Sequence, residues 1–194
     1  MSSLIPLRHT DALLVIDVQN DFCPGGRLAV NEGDQIVPVL NAWIDAAEAN
    51  QATLAFSRDW HPAGHCSFIE QGGVWPIHCI AESEGAELHP HLHLPDQGRI
   101  INKGASLAFD QYSPFDRTDL ADWLRQRGAS RIWIGGLAQD VCVRQTALDA
   151  ATHGFETHVI LPATRPVNLH AGDGEKALRE MRQAGVLLEP SYLY

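Results

Sequence analysis

Short apolar runs that end in a polar or charged residue alternate along this chain with stretches of helical periodicity, and this alternation restricts the fold more than any other feature. Residues 12–17 (ALLVID) form a continuous apolar run closed by a carboxylate, the pattern of a strand buried on both faces of a parallel sheet. Residues 52–57, 99–102, 131–134, 157–161 and 186–188 read as further strands. Helices are predicted at 34–50, 119–127, 141–153 and 174–184, the last three stopped by Gly128, Gly154 and Gly185. Asp34 is the expected cap of the first helix, and Pro38 is tolerated only near its start. Strands and helices in this order predict an α/β protein: a three-layer sandwich whose six-stranded, mostly parallel sheet is flanked by helices and joined by right-handed crossovers. In such sheets, sites lie at the carboxyl ends of the strands.

A chain of 194 residues suits one domain spanning 1–194. Its formal net charge of −10 repels phosphate backbones, which argues against nucleic acid as a partner. No apolar run approaches the ~20 residues of a membrane-spanning helix, so no membrane partner is expected. The apolar stretch 12–18 leads into charged and amide residues rather than a small-residue cleavage site, unlike a signal peptide. A cytoplasmic protein with reduced thiols is therefore the expectation for the four cysteines, Cys23, Cys66, Cys79 and Cys142. The composition is compatible with a homo-oligomer and does not specify one.

Three polar residues follow successive apolar strands. Asp17 ends the first, Lys103 ends the third in INKGA, and Cys142 lies just past the fourth in GGLAQDVCV. Each alone is more often a capping Asp, a surface Lys or a buried Cys. All three at equivalent topological positions can converge on one edge of a parallel sheet, and their chemistry is complementary. A thiol with pKa ~8.5 is only about 3% thiolate at pH 7. A helix N-terminus and a neighbouring ammonium both favour the thiolate, but that gain is bounded at roughly 30-fold. A general base contributes ~10²–10⁴ and an oxyanion donor ~10²–10³. Asp17 is the candidate base, Lys103 the cation that keeps it ionised, and the loop 135–140 the source of oxyanion N–H groups.

The segment 58–98 breaks the strand–helix rhythm and is rich in His, Pro, Gly and Cys. Loops of this length are functional or disordered. Asp59, His61 and His65 lie in SRDWHPAGHCSF, and His78 follows in WPIHC. One carboxylate and three imidazoles suit Zn²⁺, Fe²⁺ or Mn²⁺. Two alternatives stay open at this level. His89, His91 and His93 form a rival cluster in HPHLH, and Cys66 and Cys79 could replace histidines in a closed structural zinc site. Phe22, Trp60 and Trp75 lie near these motifs and could offer faces to a flat ring.

The segments LLVIDVQNDFCPGGRLAV, SRDWHPAGHCSF, WPIHC, INKGA and GLAQDVCVRQTALDA resemble the nicotinamidases, within the isochorismatase-like cysteine hydrolases, and the resemblance runs from about residue 12 to 188. It implies a triad of Asp17, Lys103 and Cys142, and metal ligation by Asp59, His61, His65 and His78. It also implies oxyanion donors at the N–H groups of Ala138 and Cys142, with a cis peptide between Leu137 and Ala138. Phe22 and Trp75 match positions lining a ring pocket, with Tyr112 close by. The implied reaction is metal-dependent hydrolysis of nicotinamide to nicotinate and ammonia through a cysteine thioester, a step of NAD salvage. The implied cofactor is one divalent transition metal, zinc before iron or manganese, and pyrazinamide is a further implied substrate. Val141, beside the nucleophile where some relatives carry His, and the variable stretch SLAFDQYSPF bear on substrate preference. Competing readings are a cysteine amidohydrolase of the same family acting on a carbamoyl or ureido substrate, and a non-catalytic zinc-binding scaffold. A nucleotide-binding role is disfavoured, because no GxGxxG or Walker-type loop follows any strand.

Overall fold

The computed structural model describes residues 7–190. Six strands form one sheet: β1 (Asp11–Ile16), β2 (Thr53–Asp59), β3 (Arg99–Lys103), β4 (Arg131–Leu137), β5 (Glu156–Arg165) and β6 (Leu187–Glu189), in the order β3-β2-β1-β4-β5-β6. Every neighbouring pair is parallel. The strand order reverses between β1 and β4, so the chain leaves these two strands in opposite directions and opens a crevice at their carboxyl ends.

The β1 run is buried at every position, because its alternate side chains serve two cores. Leu13 and Val15 cluster with Leu54, Phe56 and Trp133 and with Leu40, Trp43 and Ile44 of α1 (Val37–Ala49). Ala12, Leu14 and Ile16 cluster on the other side with Leu124 of α2 (Leu120–Gln126), Ala147 and Ala150 of α3 (Arg144–Thr152) and Met181 of α4 (Asp173–Gln183). Helices on both faces of a parallel sheet make the three-layer sandwich that the alternation predicts.

The differences from expectation fall where the backbone departs from regular geometry. A 3-10 turn, Gly33–Ile36, precedes α1; Asp34 lies inside that turn and caps nothing, while Pro38 sits in the first turn of the helix. The helix expected from residue 141 opens instead with a π turn, Gln139–Val143, in which the Val143 N–H donates to the Ala138 carbonyl at 3.1 Å. β4 continues past residue 134 through two glycines. Gly136, at φ 131°, has the Ile16 carbonyl oxygen 2.0 Å from where a Cβ would stand, so only glycine lets β4 stay beside β1 there.

Residues 60–98 contain no α-helix or sheet strand, only 3-10 turns at Ile69–Gln71 and Glu84–Ala86. The segment is nonetheless tied down by isolated bridges, His61 to Ile80, Phe68 to Trp75 and Gln19 to Leu88. Among the described residues no helix is long and apolar enough to cross a membrane.

Candidate active site

β1 ends at Ile16 and the chain turns at Asp17, which adopts φ 48° and donates its N–H to the Ser57 carbonyl at 3.1 Å. The Asp17 side chain is fully buried. Its Oδ1 accepts a hydrogen bond from Ser57 Oγ at 2.7 Å. Its Oδ2 lies 2.8 Å from Lys103 Nζ, a charge contact without hydrogen-bond alignment, and receives no other donor. Lys103, the last residue of β3 and also fully buried, directs Nζ to Asp59 Oδ1 at 2.5 Å, to Cys142 Sγ at 3.4 Å and to the Gln111 carbonyl at 3.4 Å. Carboxylate oxygens of Asp17 and Asp59 and the Cys142 sulfur lie within 4.8 Å of one another. Three strand ends thus bring the three expected side chains together.

Burial dominates the electrostatics. It pushes the Cys142 thiol well above its ordinary range; Lys103 pulls the other way, but Asp17 and Asp59 add to the rise. Lys103 thus favours the thiolate, as expected of a neighbouring ammonium, but burial outweighs it. Burial also raises the Asp17 carboxyl, to about 6, against the pull of Lys103. At Asp59 burial likewise acts upward, but Lys103 and His61 outweigh it and hold the carboxyl well below the usual range. Burial would lower the Lys103 ammonium, yet Asp17, Asp59 and Cys142 raise it well above normal. A thiol within reach of a buried carboxylate whose pKa is raised is the arrangement of a nucleophile beside its base.

The last residue of β2, Asp59, turns its second oxygen towards two histidines: Oδ2 lies 3.6 Å from His61 Nε2 and 3.9 Å from His78 Nε2. Each imidazole is fixed from behind. His61 Nδ1 donates to the Gly104 carbonyl at 2.9 Å and His78 Nδ1 to the Pro76 carbonyl at 2.7 Å. Both Nε2 lone pairs therefore face the carboxylate, and the three ligand atoms lie within 4.8 Å of one another. Donors aimed at a common point, each with a backbone partner on its far nitrogen, form the arrangement of a divalent metal site. Two carboxylates against one ammonium in the same buried space leave a negative charge that a cation would offset. The donor set fits the ion.

His65, the fourth ligand that the resemblance implies, lies beside this three-donor cluster. Its ring stacks on His61 with centroids 4.2 Å apart. Its Nδ1 accepts from the Ser67 N–H at 3.3 Å and contacts Ser67 Oγ at 2.8 Å. The rival cluster does not assemble: His93 pairs with Asp45 at the surface at 2.9 Å, and His89 Nδ1 accepts the His91 N–H. All four cysteines are free thiols; Cys79 is buried with its sulfur 3.9 Å from the Gly85 carbonyl.

One pocket joins the two clusters. Phe22, Trp75, Tyr112, Val141 and Ala138 line it together with Cys142, Asp59, His61 and His78. Trp75 Nε1 donates to Tyr112 Oη at 3.0 Å, tying two loops across the mouth. Trp60 takes no part; the Arg58 guanidinium sits 3.9 Å from its ring centroid. The peptide between Leu137 and Ala138 is cis. Three contributors escaped the sequence reading: Ser57, which holds Asp17; Gly104, whose carbonyl orients His61; and Gln111, whose carbonyl accepts from Lys103. Only Gly104, directly after Lys103, carried a signal.

Residues 11–189 match the family model of the isochorismatase domain, and the chain belongs to that family of hydrolases. Among its relatives, the nicotinamidase of Escherichia coli (strain K12) is 41% identical over 198 residues, spanning 91% of this chain and 93% of that protein. The nicotinamidase/pyrazinamidase of Mycobacterium tuberculosis is 38% identical over 185 residues, spanning 91% and 97%. The crystal structure of the pyrazinamidase of Pyrococcus horikoshii in complex with zinc superposes with a TM-score of 0.89 at 42% identity, covering 94% of this chain and 99% of that one.

Proposed function

We propose that this protein is a metal-dependent amidohydrolase that converts nicotinamide to nicotinate and ammonia through a thioester on Cys142, with pyrazinamide as a second substrate. The observation that carries the reading is the single pocket in which the Cys142 sulfur and the Asp59, His61 and His78 donors face the same space. An amide and a ring nitrogen on one flat molecule need two such groups. The relatives named above as nicotinamidases support the substrate.

Asp59, His61 and His78 would hold the divalent ion, zinc by analogy with the pyrazinamidase complex. When bound, that ion supplies a Lewis-acidic anchor for a pyridine or pyrazine nitrogen. Phe22, Trp75 and Tyr112 enclose the ring and exclude water from it. Asp17 Oδ2, the buried oxygen without a hydrogen-bond donor, takes the thiol proton as sulfur attacks the amide carbonyl. The N–H groups of Ala138 and Cys142 receive the oxyanion. Protonated Asp17 then returns its proton to the departing nitrogen, ammonia leaves, and a thioester remains. Asp17 next takes a proton from water as the hydroxide adds to the thioester carbonyl. Collapse expels the sulfur, which recovers the proton, and nicotinate is released. Lys103 holds the charge balance around Asp17 throughout.

Incubation with nicotinamide should release ammonia and nicotinate in equal amounts. A chelator should lower the rate, and added zinc should restore it. Absence of ammonia release from the metal-loaded protein would overturn the reading, as would full activity after exhaustive chelation.

A further inference from the structure

The segment that follows the catalytic base does more than connect β1 to the next element. β1 and β2 pair as far as Ile16 and Ser57, where β1 turns away at Asp17. The next step of the ladder is supplied by a side chain. Gln19 Oε1 accepts the Asp59 N–H at 2.8 Å, and Gln19 Nε2 donates to the Asp59 carbonyl at 2.8 Å. The carboxamide stands in for a peptide group and holds the Asp59 backbone from both sides. The second proton of Nε2 goes to the Ala86 carbonyl at 2.8 Å, so every polar atom of this fully buried side chain is used.

Asp21 acts two residues later. Its Oδ2 accepts the Cys79 N–H at 2.7 Å, fixing the peptide that follows His78. The Cys79 carbonyl in turn accepts the His61 N–H at 2.9 Å. Gly85 makes room for the carboxylate, since a Cβ there would lie 2.3 Å from Asp21 Oδ2. Gln19 thus grips the backbone of one donor, and Asp21, through Cys79, grips the backbones of the other two. The long loop has no α-helix or sheet strand of its own, so contacts such as these hold its backbone.

We infer that Gln19 and Asp21 are positioning residues for the metal site, setting ion affinity by clamping the backbones of Asp59, His61 and His78 from the same short segment that carries the base. This rests on the metal reading given above. Substitution moves donor atoms that must converge within a fraction of an ångström.

Zinc alone, titrated into metal-free protein, tests it. Gln19→Leu, similar in size but unable to hydrogen-bond, should weaken zinc at least tenfold and alter the visible spectrum of the cobalt-substituted protein. Asp21→Asn keeps one acceptor oxygen and should give a smaller loss, about threefold or more. Thr157→Val is the control: it removes a buried hydrogen bond to the Phe155 carbonyl remote from the donors, so it should lower the melting temperature and leave zinc affinity unchanged. Folded Gln19→Leu and Asp21→Asn proteins with zinc affinity within twofold of the parent would overturn the inference while leaving the metal reading intact. Should Gln19→Leu not fold, Asp21→Asn decides alone. A parent protein that takes up no zinc would overturn both.

Discussion

Lys103 and Asp59 form a buried ion pair, Nζ to Oδ1 at 2.5 Å, and this pair joins the two halves of the site. The ammonium that contacts the Cys142 sulfur also neutralises the carboxylate that faces His61 and His78. One cation therefore serves the nucleophile, the base and the metal donors together.

Lys103→Met should damage stability and activity at once. It leaves Asp17 and Asp59 as buried carboxylates without their shared cation, a loss of about 3–5 kcal/mol for a broken buried pair. A denaturant titration should register that loss, and turnover should fall by at least ~10²-fold. A Lys103→Met protein of normal stability and rate would remove Lys103 from the centre of this network.

Cys142→Ala should abolish ammonia release and leave the fold unchanged, because the side chain is small and its removal strands no polar group. Asp17→Asn should retain the Ser57 contact but lose ~10²–10⁴-fold in turnover, the range expected when a general base is removed. Measured kcat within tenfold of the parent would exclude Asp17 as the base.

Much of this arrangement was legible in the sequence because strand ends announce themselves. A continuous apolar run closed by Asp17, and a brief one closed by Lys103, fix those residues at one sheet edge once the parallel topology is accepted. Cys142 was legible for the same reason, although its π turn was not: the turn depends on how Ala138 and Val143 meet across a backbone hydrogen bond, which no periodicity encodes. What holds each imidazole was not legible: His61 Nδ1 meets the Gly104 carbonyl and His65 Nδ1 meets Ser67, and no spacing pattern encodes either partner. The net direction of the thiol shift was not legible, because burial, a tertiary quantity, exceeds the pull of Lys103.

Trp75→Ala should raise KM for nicotinamide by tenfold or more with a smaller effect on kcat. The indole lines the ring pocket and bonds to Tyr112 across its mouth, so its loss opens the pocket to water without touching the sulfur or the base. Loss of aromatic contact of this size is worth about 1–3 kcal/mol in binding. Steady-state kinetics would show an unchanged KM if the ring binds elsewhere.

Gly104→Ala should weaken the metal site through a residue that carries no ligand atom. Gly104 adopts φ 63°, where an L-residue is disfavoured by about 1–2 kcal/mol. An added Cβ would also stand 2.4 Å from His61 Cε1 and 2.6 Å from its Nδ1. The imidazole must retreat, and its hydrogen bond to the Gly104 carbonyl at 2.9 Å cannot survive that movement intact. His61 Nε2 then leaves its position opposite Asp59, and the donor set opens. Disturbing the partner that orients a metal-bound histidine costs roughly 10–100-fold in affinity, and competition with a chelating dye should detect a loss of that order. Saturating zinc should recover most of the turnover, since Asp17, Lys103 and Cys142 are untouched. Parental zinc affinity in a folded Gly104→Ala protein would mean that His61 is not held by this carbonyl.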